Sequence, residues 1–322
     1  ARDRSRDAPL KTACGARVNL LANIALAEET TLAMEDGAVG IGLFRSEFLF
    51  LGSRGLPDEE TQFAAYRAAV ELSRGAPVVV RTLDAGADKA LDEQIELAEK
   101  NPLLGWRAVR FCLDRKDVFR TQLRALLRAS AFGDLRIMFP MISCVEELDA
   151  ALDALDEARA ELAEAKVPFR KGLKVGIMIE IPAAAACADL LAKKVDFMSI
   201  GTNDLIQYTM AVDRENPRVA HLFDCFQPAV LRLIDATIRA GERTRTSVSM
   251  CGEMAHDPAA VFLLLGLGLR NFSMASERIG EVRDLVARVT IADAQELARA
   301  AMELSAAREI RKLVEERLKN YE

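Results

Sequence analysis

Residues 195–214 read VDFMSIGTNDLIQYTMAVDR: a short apolar run, then Gly-Thr-Asn-Asp where the run stops, with an arginine ten residues beyond Asp204. An Asn-Asp pair at such a point can be turn chemistry alone, because both side chains hydrogen-bond nearby backbone and can cap a following helix. The stretch by itself leaves capping and function equally open. Its shape recurs, however. Runs rich in Val, Ile, Leu, Met and Phe, each followed by polar or glycine-bearing residues and then a helical pattern, stand at 17–24 (RVNLLANI), 39–45 (VGIGLFR), 77–84 (PVVVRTLD), 135–140 (LRIMFP), 174–182 (KVGIMIEIP), 196–202 (DFMSIGT), 247–253 (SVSMCGE) and 271–275 (NFSMA).

Continuous apolar runs of this length suit strands buried on both faces, and amphipathic segments such as Glu59 to Ser73, Val145 to Ala165 and Pro228 to Ala240 suit the helices that cover them. Eight strand-helix units predict an α/β fold, a TIM (β/α)8 barrel with long βα loops. A doubly wound sheet also alternates strand and helix, but no G-x-G-x-x-G turn follows the first run. Residues beyond about Thr290 form a helical tail. The connections Ser46 to Asp58, Asp84 to Pro102 and Leu205 to Pro228 are long, and in a barrel they follow strands two, three and six on the C-terminal face, where active sites are built.

Composition narrows the function classes. The 322 residues are about half apolar and carry a formal charge of −6, with no basic, aromatic-interleaved run of the kind that binds nucleic acid. An anionic small substrate therefore needs a local cluster of arginines. The cysteines Cys14, Cys112, Cys144, Cys187, Cys225 and Cys251 show neither a C-x-x-C pair nor zinc spacing and fit free thiols in a reducing cytosol. No apolar stretch approaches the length of a membrane span and no signal-like segment opens the chain, so a cytoplasmic protein is expected. The opening ARDRSRDAPLKTA reads as the tail of a linker, which gives residues 1–14 as a linker remnant and 15–322 as one barrel domain.

On a barrel, the last residues of the apolar runs line the mouth: Asn23, Arg45, Arg81 with Asp84, Glu180, Asn203 with Asp204, and Cys251 with Glu253. Each has an ordinary explanation on its own. Arg45 can snorkel from a strand end, Glu180 can be a paired buried charge, and Cys251 can be a small core hydrophobe. Their concentration at strand ends favours function. Glu180 and Asp204, on adjacent strands, can share one hard cation such as Mg²⁺, whose octahedron takes one or two carboxylates and otherwise water and substrate oxygens. Arginines across the mouth offer planar forks to phosphate or carboxylate, and Lys89 offers a further charge. The ligand so implied is small and multiply anionic.

The segments GIGLFRSEFLF (40–50), RTLDAGADK (81–89), NPLLGWRAVR (101–110), IMFPMIS (137–143), IMIEIPAAA (177–185), SIGTNDLIQYTMAVDR (199–214) and MCGEMAHDP (250–258) carry a family resemblance. In this order they resemble the phosphoenolpyruvate-binding barrel of the enzyme I family of the bacterial phosphoenolpyruvate:sugar phosphotransferase system. Pyruvate phosphate dikinase and phosphoenolpyruvate synthase share the GTND and CGE segments, but RTLD…DK and the Met before Cys-Gly-Glu are more typical of enzyme I. The resemblance implies that Arg45, Arg81, Asn203, Asp204 and Arg214 bind phosphoenolpyruvate, with Arg107 and Lys89 near it. It implies that Glu180 and Asp204 hold Mg²⁺ and that Cys251 gives a proton to the enolpyruvate carbon. Ser46 stands where threonine is common, Ala87 where glycine is frequent, and His256 where a small residue is usual; FDCFQPAV (223–230) also departs from the family's run.

The family's phosphate-accepting histidine sits in a Thr-Ser-His motif on a separate swivelling domain, and this chain has only His221 and His256, in neither case in that setting. The resemblance therefore implies an enzyme domain that binds phosphoenolpyruvate but cannot complete transfer alone. Its partners would be the phosphohistidine domain, through it the phosphocarrier protein HPr, and a second copy in a homodimer. Rival readings are a dikinase or synthase barrel, a non-catalytic phosphoenolpyruvate sensor, and a magnesium-dependent lyase or aldolase acting on a keto acid.

Overall fold

The computed structural model describes residues 9–51, 56–85 and 99–321. The eight apolar runs form eight parallel strands: β1 (Asn19–Ile24), β2 (Ile41–Arg45), β3 (Val78–Arg81), β4 (Leu135–Phe139), β5 (Lys174–Ile179), β6 (Phe197–Ile200), β7 (Ser247–Met250) and β8 (Asn271–Met274). Each pairs with the next in sequence and β8 returns to β1, closing the barrel. Helices cover the outside, among them Glu59–Leu72, Val145–Glu164 and Pro228–Thr244, within a few residues of the segments expected from periodicity. Short polar residues start several of them. Asp58 accepts from the Thr61 amide, Asp257 from the amides of Ala259 and Ala260, and Thr290 from that of Asp293, satisfying donors that a helix's first turn leaves unpaired. The tail after Thr290 is two helices, Ile291–Met302 and Ala307–Leu318, the second anchored by buried Ile310 and Val314. Leu10 is buried and Lys11 bridges to Arg17, so the packed body takes in residues ahead of Gly15, the expected start of the barrel domain. No helix among the described residues is long and apolar enough to cross a membrane.

Alternation along the strands divides the core in two. One set of side chains, such as Ile177 and Ile179 of β5 or Met198 and Ile200 of β6, packs outward under the helices in one large cluster. The other set points into the barrel, where Leu43, Val79, Met138, Met178, Phe197 and Cys251 form a separate apolar plug. In β2 the register with β1 slips between Ala22 and Asn23, pairing them with Ile41 and Leu43 and leaving Gly42 as an extra residue. That bulge turns Leu43 and then Arg45 toward the interior. Gly176 makes room for the plug: a Cβ there would lie 2.4 Å from the Phe197 ring. Above the plug, the next inward positions carry Arg81 and Glu180, so the apolar floor supports a polar mouth.

Gly176→Ala is therefore expected to overpack the barrel and lower stability by roughly 1–3 kcal/mol. Urea denaturation checks this; an unchanged midpoint would show that Phe197 yields without strain.

Candidate active site

The mouth encloses a cavity of about 410 Å³ lined by Arg45, Glu47, Arg81, Asp84, Arg107, Glu180, Asn203, Asp204, Arg214 and Cys251, with Asn23, Glu253 and His256 at its edge. Seven of the eight substrate- and metal-binding residues expected from the sequence, and Cys251, thus meet in one place. Lys89 lies outside the described residues.

The guanidinium of Arg81 is the hub. From the end of β3 it meets Glu47 at 2.7 Å and Asp84 at 2.7 Å, and it is nearly buried. Burial disfavours its charge, but Asp84 and Glu47 outweigh that and hold it above the ordinary arginine range. Arg107 approaches from the other side, 2.7 Å from Asp84 and 3.8 Å from Asp204, and donates to the Tyr208 hydroxyl. Burial works against Asp84 as well, yet Arg81 and Arg107 together keep its carboxyl below the usual range. The nearby Arg81 Nε and Glu47 Oε2 are buried without a partner among the described residues. Arg45, exposed at the end of β2, lies over the Phe48 ring at 5.0 Å.

Glu180 is the exception in this balance. It is buried at the end of β5, its Oε1 accepts the Met141 amide at 2.7 Å, and no cation of the described residues forms an ion pair with it. Met141 presents that amide from a left-handed backbone, φ 56°. Burial, then the charges of Asp84 and Asp204, push the Glu180 carboxyl up to about 8. Oxygens of Asp84, Glu180 and Asp204 lie within 4.8 Å of one another. Three convergent carboxylates, one of them driven toward its protonated form by the others, fit a hard divalent cation. Asp84, read from the sequence only as a strand-end residue, joins the expected pair.

Asn203 and Asp204 do not cap the helix they open. The helix Thr202–Met210 has Gly201 at its N-cap and no side-chain cap. Asn203 instead accepts the Glu253 amide at 3.2 Å, and Asp204 faces Arg214 at 3.4 Å. Turn chemistry does not account for the pair. Cys251 is buried at the rim of the apolar plug, its thiol 3.7 Å from the Ile200 carbonyl, and burial pushes it up to about 11. It is a neutral thiol near pH 7. His256 lies 3.5 Å from Glu253 at the edge.

Sequence reasoning missed Glu47, which holds Arg81; it sits two residues after Arg45, a spacing that could have suggested it. It also missed Asn23's role. That amide donates to the Cys251 carbonyl at 3.0 Å and accepts from Ser273 at 2.6 Å, tying β1, β7 and β8 together under the thiol.

Glu180 has a stability consequence. Its native pKa is raised above its unfolded value, so its contribution is fully present below about pH 4.5 and is lost as pH rises toward 8. In metal-free buffer, Glu180→Gln should abolish this loss and exceed the parent's stability above pH 8 by on the order of 2–4 kcal/mol. Denaturant midpoints from pH 5 to 9 measure it; parallel profiles would mean that Glu180 is ionised at no cost.

Comparison with known proteins gives the family. Residues 1–291 match the family model described as PEP-utilising enzyme, PEP-binding domain. The phosphoenolpyruvate-protein phosphotransferase of Staphylococcus carnosus is 48% identical over 315 residues, covering 98% of this chain and 55% of that protein. Those of Geobacillus stearothermophilus and Cupriavidus necator are 50% and 51% identical, covering 93% and 87% of this chain and 52% and 48% of theirs. The chain thus spans about half the length of the curated relatives it matches. Among solved structures, a citrate lyase from Burkholderia xenovorans aligns with a TM-score of 0.53 at 16% identity, over 94% of this chain and 92% of that one, a likeness of fold alone. By family model and by relatives, the chain belongs to the PEP-utilising enzymes and is similar to their PEP-binding domain.

Proposed function

We propose that the chain binds phosphoenolpyruvate with Mg²⁺ and presents the phosphoryl group to a histidine supplied by a separate domain, releasing pyruvate. The observation that carries this reading is one cavity in which four arginines surround three convergent carboxylates beside a neutral thiol. Arginine forks suit the carboxylate and phosphate of a small dianion or trianion, and the buried Arg81 is fixed in place before any ligand arrives.

Glu180 and Asp204 would hold the cation, with Asp84 adjacent. Bound there, Mg²⁺ would neutralise charge on the ligand's oxygens, so that an anion could enter an acidic pocket. Arg81, Arg107, Arg214 and Arg45 orient the ligand and stabilise charge on the transferring group, which is most of what phosphoryl transfer asks of a protein. The bond from phosphorus to the enol oxygen breaks and a bond from phosphorus to the histidine nitrogen forms. The enolate left behind needs a proton on its methylene carbon. Cys251 is the group placed to give it, because burial keeps its proton in place at neutral pH. Asn203, Arg107 and Lys89 are assigned to ligand binding on the family resemblance.

The names of the relatives support the reading of a phosphotransferase. A homodimer, a cytoplasmic setting and onward transfer to HPr are part of this proposal and rest on the family resemblance alone. The dikinase or synthase alternative has no comparable support among the relatives named above.

Calorimetric titration tests binding. The parent should bind phosphoenolpyruvate only with Mg²⁺ present, and Asp204→Ala should lower that affinity by at least about tenfold, or ~1.4 kcal/mol. Equal affinity and equal metal dependence would remove Asp204 from the site. Cys251→Ala should leave binding nearly intact. With the phosphohistidine domain of a relative added, it should slow interconversion of phosphoenolpyruvate and pyruvate by about a hundredfold or more. A parent-like rate would make Cys251 a packing residue.

A further inference from the structure

The helix Lys116–Ala129 buries Val118, Phe119, Leu123, Ala125, Leu126 and Leu127 against the barrel, and in the middle of that face it buries Gln122, which is 1% exposed. A leucine there would serve packing, and a buried amide is costly unless its hydrogen-bonding groups are met. Those of Gln122 are met by groups beside the cavity. Its Nε2 donates to Ser46 Oγ at 3.1 Å and to the Tyr66 hydroxyl at 3.0 Å, while its Oε1 accepts the Leu83 amide at 2.9 Å. Ser46 Oγ donates onward to the Arg81 carbonyl at 2.7 Å, and the Tyr66 hydroxyl donates to Gln62. Every member is fully or almost fully buried.

The points of attachment are specific. Ser46 lies between Arg45 and Glu47. The Arg81 carbonyl belongs to the hub arginine, and Leu83 directly precedes Asp84. One side chain from outside the barrel therefore braces the two segments that supply Arg45, Glu47, Arg81 and Asp84, and none of the brace lines the cavity. The Thr82 amide is taken by Met138 in the strand ladder, so the Leu83 amide is the first past β3 to depend on a side chain.

We infer that Gln122 is a positioning residue: through Ser46 and the Leu83 amide it sets the spacing of the Glu47–Arg81–Asp84 ion network, and through that network the site's affinity for its anionic ligand. The ligand half of this inference rests on the function proposed above; the ion-network half does not. Positioning errors of the order of 1 Å cost about a hundredfold in well-organised sites, so a brace remote from the ligand can matter this much.

The test uses Gln122→Met, which preserves the length of the side chain and removes all three hydrogen bonds. The first readout is free of any ligand: ¹⁵N NMR of the arginine side chains. The parent should show a slowly exchanging Arg81 guanidinium signal, and Gln122→Met should broaden or lose it, whereas Val314→Ala, buried in the C-terminal helix, should keep it at a comparable loss of melting temperature. The second readout is titration with phosphoenolpyruvate and Mg²⁺. Affinity should fall roughly 10- to 100-fold in Gln122→Met, and by less than about threefold when the same change is made in an Asp84→Asn background, where the network is already broken. A parent-like Arg81 signal in Gln122→Met overturns the inference whatever the ligand does. Parent-like affinity, or equal losses in both backgrounds, overturns its ligand half. A parent that binds no phosphoenolpyruvate contradicts the proposed function and leaves the NMR comparison to decide the brace. If Gln122→Met does not fold, Ser46→Ala cuts the path from Gln122 through the Ser46 hydroxyl to the Arg81 carbonyl and leaves Gln122 its bonds to Tyr66 and the Leu83 amide, and the same two readouts apply with the same expected directions.

Discussion

Burying Glu180 beside Asp84 and Asp204 is the constraint on which the site rests. Three carboxylates within 4.8 Å of one another at the mouth of a packed barrel repel, and their burial weakens the screening of that repulsion. The chain answers with Arg81 and Arg107 on Asp84 and with Arg214 on Asp204, and leaves Glu180 with a backbone amide. The remaining imbalance is an excess of buried negative charge, which in the proposed function a cation, and with it an anion gripped by the arginines, would relieve. Under the proposed function, this electrostatic cost in the free protein would become selectivity for a metal and an anion together.

The barrel makes this arrangement possible by separating support from chemistry. Leu43, Val79, Met138, Met178 and Phe197 fill the interior, so the charged layer above has a rigid floor and opens only at the C-terminal ends of the strands. Met178 belongs to both layers, lying 3.8 Å from an Arg81 nitrogen. Cys251 stands where plug and cavity meet, which gives the thiol a buried environment under the charge of Arg81.

Much of this is legible in the amino-acid order, and the reason is periodicity. A strand buried on both faces must be apolar throughout, so the eight runs announce themselves, and the first polar residue after each run falls at the mouth. That rule found Arg45, Arg81, Glu180, Asn203, Asp204 and Cys251. It says nothing about which side chains meet at the mouth. Glu47, just past β2, reaches Arg81 at the end of the neighbouring β3, and Asn23 of β1 reaches the Cys251 carbonyl past β7 only because the barrel closes. Gln122 was hidden for a different reason. Helical periodicity assigns its position to the core, and only the structure shows that the buried amide is met by Ser46, Tyr66 and the Leu83 amide. The bulge at Gly42 is similarly silent, since a glycine in a strand has several uses.

The central claim is that one mouth holds metal and phosphoenolpyruvate together, and it is tested most directly by anomalous diffraction from crystals grown with Mn²⁺ and phosphoenolpyruvate. The account predicts a single strong anomalous peak between Glu180 and Asp204, with the ligand's phosphate and carboxylate against Arg45, Arg81 and Arg214 and its methylene carbon facing Cys251. A metal peak away from these carboxylates, or phosphoenolpyruvate bound elsewhere with this mouth unliganded, would contradict it.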